Sequence, residues 1–349
     1  MRHVAFILTI LMLSVAVASC GGDGDSGPAA TPGPSAEAVA YLDEAIRTIE
    51  ENWIFADRVD WDAVRSEAVA DIEDAESAED TYQVISGILR DLRDPHSFFV
   101  RPAQVAPGAS PSLTAPLNPN ARHPSGQLLD ERLGLVRLPE LTDLGETADL
   151  YRRTGVETIE VLDSVETCGW IIDLRGNRGG RAWSMITTVG PLLGNGEIGA
   201  LVSRNGERIV WEYRDGDGIA GGEVITSAPV YELIDPDPPV AVLIDYLTAS
   251  AAEGVALAFR NRPETRLFGE PTAGVATVPL TYELSDGAAL VLAGAWVADR
   301  EGTTFDGPIE PDVLIENEGV LSTRTPVNED EILQAAMGWL MDSSRCASS

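Results

Sequence analysis

"PVAVLIDYLTASAAEGVALAF", residues 239–259, decides the fold class of this chain. Its first half, Pro239 to Leu247, is an almost unbroken apolar run. It is short and rich in Val and Ile, which suits a strand buried on both faces. The run stops at Thr248-Ala249-Ser250, and an alanine-rich helical pattern carries on to about residue 262. The same unit occurs twice more upstream. "CGWIIDLRGN" (168–177) precedes a helical stretch at 181–193, and "LGLVRLP" (133–139) precedes the helical pattern "TADLYRRTGVETIEVLDS" (147–164). A later strand, "GAALVLAGAWVA" (287–298), and a C-terminal helix from Asn328 to Met341 complete the pattern. Apolar strands alternating with helices imply an α/β domain whose mostly parallel sheet is covered on both faces.

Ahead of this core, assigned to residues 131–343, lies a small N-terminal helical unit, residues 38–102. Val39, Leu42, Ile46, Ile49 and Trp53 recur at helical spacing. So do Trp61, Val64, Ala68 and Ile72 after the capping candidate Asp60, and then Tyr82, Ile85, Leu89 and Leu92. Pro95 ends the third helix and leaves His96 and Ser97 on a turn. Residues 103–130, rich in Pro, Ser and Asn, read as a loop.

The first 19 residues read as an export signal: Arg2 and His3, then an apolar run from Val4 to Val17 that is short for a membrane span. Val17-Ala18-Ser19-Cys20 resembles a bacterial lipobox, which makes Cys20 the expected lipidation site. Residues 20–37, rich in Gly, Pro, Ser and Asp, form the expected flexible tether. The expected location is the cell envelope, with a lipid anchor as the only membrane attachment. Cys168 and Cys346 remain, and spacing does not say whether they pair. Cys168, beside an apolar strand, reads as a small buried residue.

A formal net charge of -32 disfavours nucleic acid and anionic membrane surfaces as partners, so no nucleic acid is expected. All 24 basic residues are arginines, so no mechanism that needs a lysine amine is open. Three histidines and scattered cysteines offer no metal-ligand cluster, and no metal or organic cofactor is expected.

Ser250 lies just past a buried strand at a helix start, where the helix dipole and the free amide of Ala251 favour negative charge. Glu253, one turn on, faces the same side. The pair has two readings: a nucleophile with an acidic neighbour, or a helix N-cap whose box Glu253 closes. In "WIIDLRGNRGG" (170–180) a buried strand runs into a loop with Gly176, Gly179 and Gly180. Glycines there free backbone N–H groups that can hold an oxyanion, or simply make a tight turn. A serine nucleophile needs a base. Once export removes His3, His96 and His123 are the histidines left, and His123, in the loop "NARHPSG", reads as a solvated surface residue.

Five motifs then occur in order: "DPHSFF" (94–99), "IIDLRGNRGG" (171–180), "LTASAAE" (247–253), "GEPTAG" (269–274) and "GPIEPDV" (307–313). The series resembles the tail-specific, or C-terminal processing, serine peptidases over roughly residues 38–316. The resemblance implies a ClpP/crotonase-like α/β core. It implies Ser250 as nucleophile, and an oxyanion hole from Ala251 and the Gly179–Gly180 loop. Two departures stand out. Where many members carry a lysine base, this chain reads Thr272-Ala273-Gly274-Val275. The 28 residues of the 103–130 loop are also too few for a PDZ domain, which needs about 80 to 100. Both departures resemble the tricorn-like and interphotoreceptor-retinoid-binding-protein-like branch, which implies His96 as base and Ser97 as an auxiliary group. The implied orienting carboxylate is Asp306, with Glu310 as second choice. The expected function is a secreted or lipid-anchored serine peptidase acting on protein or peptide substrates. The alternative is a non-catalytic binding protein for hydrophobic ligands or peptides on the same scaffold. Oligomeric state is not legible.

Overall fold

The computed structural model describes residues 33–104, 116–316 and 326–347. The signal sequence and Cys20 lie outside the described residues. Three helices open the chain: α1 (Ala36–Asn52), α2 (Trp61–Asp71) and α3 (Tyr82–Asp91). Ser35 and Asp60 cap α1 and α2 by accepting hydrogen bonds from the N–H groups of Ala38 and Ala63. A short strand β1 (Phe98–Val100) follows, then β2 (Ser125–Leu129), β3 (Leu133–Arg137), α4 (Glu146–Leu162) and β4 (Gly169–Asp173). Next come α5 (Ala182–Thr188), α6 (Gly190–Leu193), and the strands β5 (Gly196–Ser203), β6 (Arg208–Arg214), β7 (Asp217–Ala220) and β8 (Glu223–Ser227). The chain ends with β9 (Val240–Ile244), α7 (Ala251–Phe259), β10 (Thr265–Gly269), β11 (Thr277–Glu283), β12 (Ala289–Ala298), β13 (Val313–Leu314), α8 (Glu331–Met341) and α9 (Ser344–Ala347).

There are two sheets where the apolar pattern implied one. The six-stranded sheet, order β13-β10-β9-β4-β3-β2, is parallel except for the β2–β3 hairpin, as the βα pattern requires. The second sheet, β1-β12-β5-β6-β7-β8 with β11 also on β12, is antiparallel. Strand β12, expected in the parallel sheet, belongs to this second one. Beyond its partner β5 the sheet continues through β6 to β8, half-exposed strands with short turns that give no continuous apolar run. The helix expected at 181–193 breaks into α5 and α6, with Pro191 in the first turn of α6.

Three apolar clusters hold the layers. The largest joins the parallel sheet to α4–α7 and to Trp211, Tyr213 and Val297 of the antiparallel sheet. A second buries the inner faces of α1–α3 against Leu290, Leu292 and Ala293 of β12. The turn before β12 locks this contact, because Tyr41 and Tyr82 both donate to the Asp286 carboxylate. The helical unit is therefore fixed to the core, and the loop that follows it reaches the site as a rigid piece. The third cluster packs α8 on the outer face of the parallel sheet.

Cys168 and Cys346 form a disulfide that ties α9 to the start of β4 across 178 residues of chain. Closing so long a loop restricts the unfolded chain, and its loss is expected to cost about 2–5 kcal/mol. Thermal melts with and without reductant should show the reduced protein melting several degrees lower. Equal melting temperatures would show that the bridge adds nothing.

Candidate active site

The chain turns abruptly between β9 and α7. Ser250, the N-cap residue, has φ 54° and ψ -117°, a conformation that costs a non-glycine residue about 1–3 kcal/mol. What holds the turn is Glu253. Its fully buried carboxylate accepts from the N–H of Ser250 (2.7 Å), Thr272 Oγ1 (2.6 Å), and the N–H groups of Gly274 and Val275 (both 2.9 Å). Burial pushes its carboxyl up, and these four donors pull it back. Glu253 thus closes the capping box and anchors the segment Thr272–Val275 to the Ser250 turn, its carboxylate bonding the main chain and Thr272 rather than the Ser250 hydroxyl. The "GEPTAG" and "GPIEPDV" motifs interlock beside it, through Thr272 N–H to Ile309 C=O and Ile309 N–H to Thr272 Oγ1.

His96 reaches Ser250 from 154 residues earlier: its Nε2 lies 3.1 Å from Ser250 Oγ. Its Nδ1 lies 2.6 Å from Thr277 Oγ1, at the start of β11. An Nδ1–H donated to Thr277 leaves the Nε2 lone pair facing the serine hydroxyl, the tautomer a general base needs. The turn carrying His96 is held from behind. The Asp94 carboxylate accepts from Trp53 Nε1 (2.8 Å), Ser97 Oγ (2.5 Å) and the His96 N–H (3.0 Å), while Ser97 Oγ accepts from the N–H of Ala293 in β12 (3.0 Å). Burial holds the imidazole pKa below its ordinary value, and the Asp94 charge partly offsets this.

Two residues named from sequence stand elsewhere. Asp306 does not orient the imidazole: its exposed carboxylate pairs with Arg58. Glu310 is exposed, and its main-chain carbonyl accepts from Arg260. The residue at Nδ1 is Thr277, which nothing in the sequence marked, since a lone threonine at a strand start carries no signature. Ser97 is a strut between Asp94 and β12 and not a partner of Ser250.

The glycine loop lies against the serine turn. Gly179 and Gly180 have φ of 101° and 116°. A Cβ at Gly179 would stand 2.8–2.9 Å from Ala249 O, Ala251 N and Ser250 Cβ, so only glycine allows this approach. The Gly179 N–H is already donated to Asn177 Oδ1 (2.9 Å). Leu141 bonds the Gly179 carbonyl and the Arg181 N–H, which turns the Gly180 N–H to the opposite edge of the chain. The amides of Gly180 and Ala251 are therefore the better pair for an oxyanion, and Gly179 supplies clearance. A half-exposed hydroxyl, a neutral imidazole behind it and two amides beside it can carry out acyl transfer through a covalent intermediate. Among the described residues, no group of His, Cys, Asp or Glu is placed to hold a metal ion.

Comparisons with known proteins agree with this scaffold. The chain is 26% identical over 278 residues to the nisin-resistance protein of Lactococcus lactis, covering 79% of this chain and 83% of that protein. It is 31% identical over 196 residues to a carboxy-terminal processing protease of Bacillus subtilis, covering 54% of this chain but only 36% of that longer protein. Among solved structures, a lipoprotein from Streptococcus agalactiae superposes with a TM-score of 0.62 at 21% identity, covering 88% of this chain and 96% of that one. The photosystem II D1 C-terminal processing protease superposes with a TM-score of 0.55 at 16% identity, covering 89% and 99%. At such identities these two likenesses show the fold. The profile of peptidase family S41 matches residues 132–315, more than half of the 349. The chain belongs to peptidase family S41 and is by class a serine peptidase.

Proposed function

We propose that this chain hydrolyses peptide bonds with Ser250 as nucleophile and His96 as general base, without a lysine. The observation that carries the reading is the 3.1 Å approach of His96 Nε2 to Ser250 Oγ on a strained turn beside a glycine loop. The hydroxyl proton passes to Nε2 as Oγ attacks the scissile carbonyl. The Gly180 and Ala251 amides hold the developing oxyanion, and the imidazolium returns its proton to the leaving amine. Water, deprotonated by the same imidazole, then releases the acyl group. Incubation with a defined mixture of unstructured peptides, followed by mass spectrometry of the products, tests this. Discrete cleavage sites are expected, absent from the Ser250→Ala reaction.

The substrates are peptides presented outside the cytoplasm. The lipobox-like "VASC" supports anchoring at Cys20, and the Cys168–Cys346 disulfide suits an oxidising compartment. The likeness to a streptococcal lipoprotein points the same way. A bacterial host fed labelled palmitate should label the wild type and leave Cys20→Ser unlabelled. Labelling that persists in the variant would remove the anchor.

A further inference from the structure

The glycine loop is gripped from behind by a helix that lies beyond the family match. That match ends at residue 315, and α8 begins at Glu331. The helix runs back along β4 and is tied at both ends. At its far end Leu340 packs on Gly169, the first residue of β4, and Cys346 is bonded to Cys168. At its near end the N-cap residue, Asp330, meets Arg175.

This second contact is a two-pronged ion pair. Arg175 Nη1 and Nη2 donate to the two Asp330 oxygens at 2.8 and 2.9 Å, while Nε and Nη2 donate to those of Asp173, also at 2.8 and 2.9 Å. The three side chains are almost wholly buried. Apolar side chains of similar volume often hold a buried contact at least as well, so packing α8 does not by itself call for three charges. What the fork adds is a fixed direction.

That direction matters because Arg175 opens the loop. The next residue, Gly176, has φ 71° and donates its N–H to both Asp245 oxygens at 3.0 Å. Asp245 also accepts the Leu247 N–H and stands 3.1 Å from Thr248 Oγ1, two residues before Ser250. Asn177 then accepts the Ala249 N–H through its carbonyl and the Gly179 N–H through its side chain, at 3.0 and 2.9 Å. The Arg175–Asn177 turn is thus a junction between α8, the nucleophile turn and the glycine loop.

We propose that Arg175 and Asp330 are positioning residues: their clamp uses α8 as a fixed bar to set the glycine loop, and with it the Gly180 amide, against Ser250. Neither side chain touches substrate. The inference rests on the peptidase reading of Ser250.

Two variants test it. Asp330→Asn keeps the shape and the cap on the Leu333 N–H, since Asn caps about as well as Asp, but removes the charge. Arg175→Lys keeps the charge and loses the fork. Each should lower kcat about ten- to a hundredfold, the scale of a small misplacement at the reacting centre, with KM within about twofold and the acid limb of the pH profile unmoved. A peptide aldehyde built on a cleaved sequence puts an oxyanion in the hole, so its affinity should fall by the same factor as kcat/KM. In the free protein, amide hydrogen exchange at Gly176 and Gly179 should quicken by about tenfold or more, while the Ser250, Gly274 and Val275 amides held by Glu253 keep their wild-type rates. A folded variant with wild-type kcat, or with wild-type exchange in the loop, would overturn the proposal. So would exchange that quickens equally at all five amides, which is general loosening. If the wild type hydrolyses no peptide, faster exchange confined to the loop upholds the clamp and overturns only the role of Ser250.

Discussion

Ser250→Ala is expected to lower kcat for peptide hydrolysis by about 10⁴-fold or more, the scale seen when a nucleophile is removed from an assembled serine site. The fold should survive. The contact that pins the turn is the main-chain N–H of Ser250 on Glu253, which alanine keeps, so the expected cost is no more than about 1 kcal/mol. Ser250→Gly sharpens the test. Glycine adopts φ 54° freely, so this variant should be as inactive as the alanine one yet more stable than it, by up to about 1 kcal/mol. Kinetics beside denaturant melts of the three proteins check both halves. Residual hydrolysis near the wild-type rate in either variant would assign the chemistry to another residue.

His96→Ala should bring a loss of similar size and remove the acid limb of the pH profile. In the wild type the base must be neutral. Burial lowers its pKa below the ordinary histidine value of about 6.5, and its Nδ1 partner is the neutral Thr277 hydroxyl rather than a carboxylate. Hence kcat/KM should rise with pH through one ionisation below 6.5 and be level at neutral pH. Stability follows the same sign. Below 6.5 the unfolded chain binds a proton at His96 that the folded chain resists, so this residue's contribution falls as pH drops through the depressed value. An inflection above 7 would mean that a carboxylate does face the imidazole.

The difference between Asp306 and Thr277 shows where sequence reading runs out. β4, β9 and α7 were legible because burial on both faces writes a continuous apolar run, and Ser250 and the glycines sit where those runs stop. His96 was legible through its motif, and through the scarcity of histidines in a chain without lysine. The partner of its far nitrogen was not legible. Thr277 comes from β11, a strand carrying Pro279 and a bulge after Val278, and it is placed by pairing with β12. Motif order pointed to a carboxylate near the "EPD" segment, but in space Arg58 takes Asp306 and Ile309 ties that segment to Thr272. The antiparallel sheet β5–β8 was missed for a related reason. Its strands are partly exposed, with no helices between them, so neither periodicity nor the βα alternation flags them. The Cys168–Cys346 bridge depends on α9 folding back to β4, which no local pattern encodes.

The central claim is that Ser250 is activated by His96, and covalent labelling tests it most directly. The purified chain would be treated with a fluorophosphonate near pH 7.5, and the modified residue located by mass spectrometry. Stoichiometric modification of Ser250 is expected, slowed by orders of magnitude in His96→Ala and fading as the pH falls below the ordinary histidine range. A wild-type Ser250 that stays unmodified, or that reacts equally fast without His96, would contradict the account.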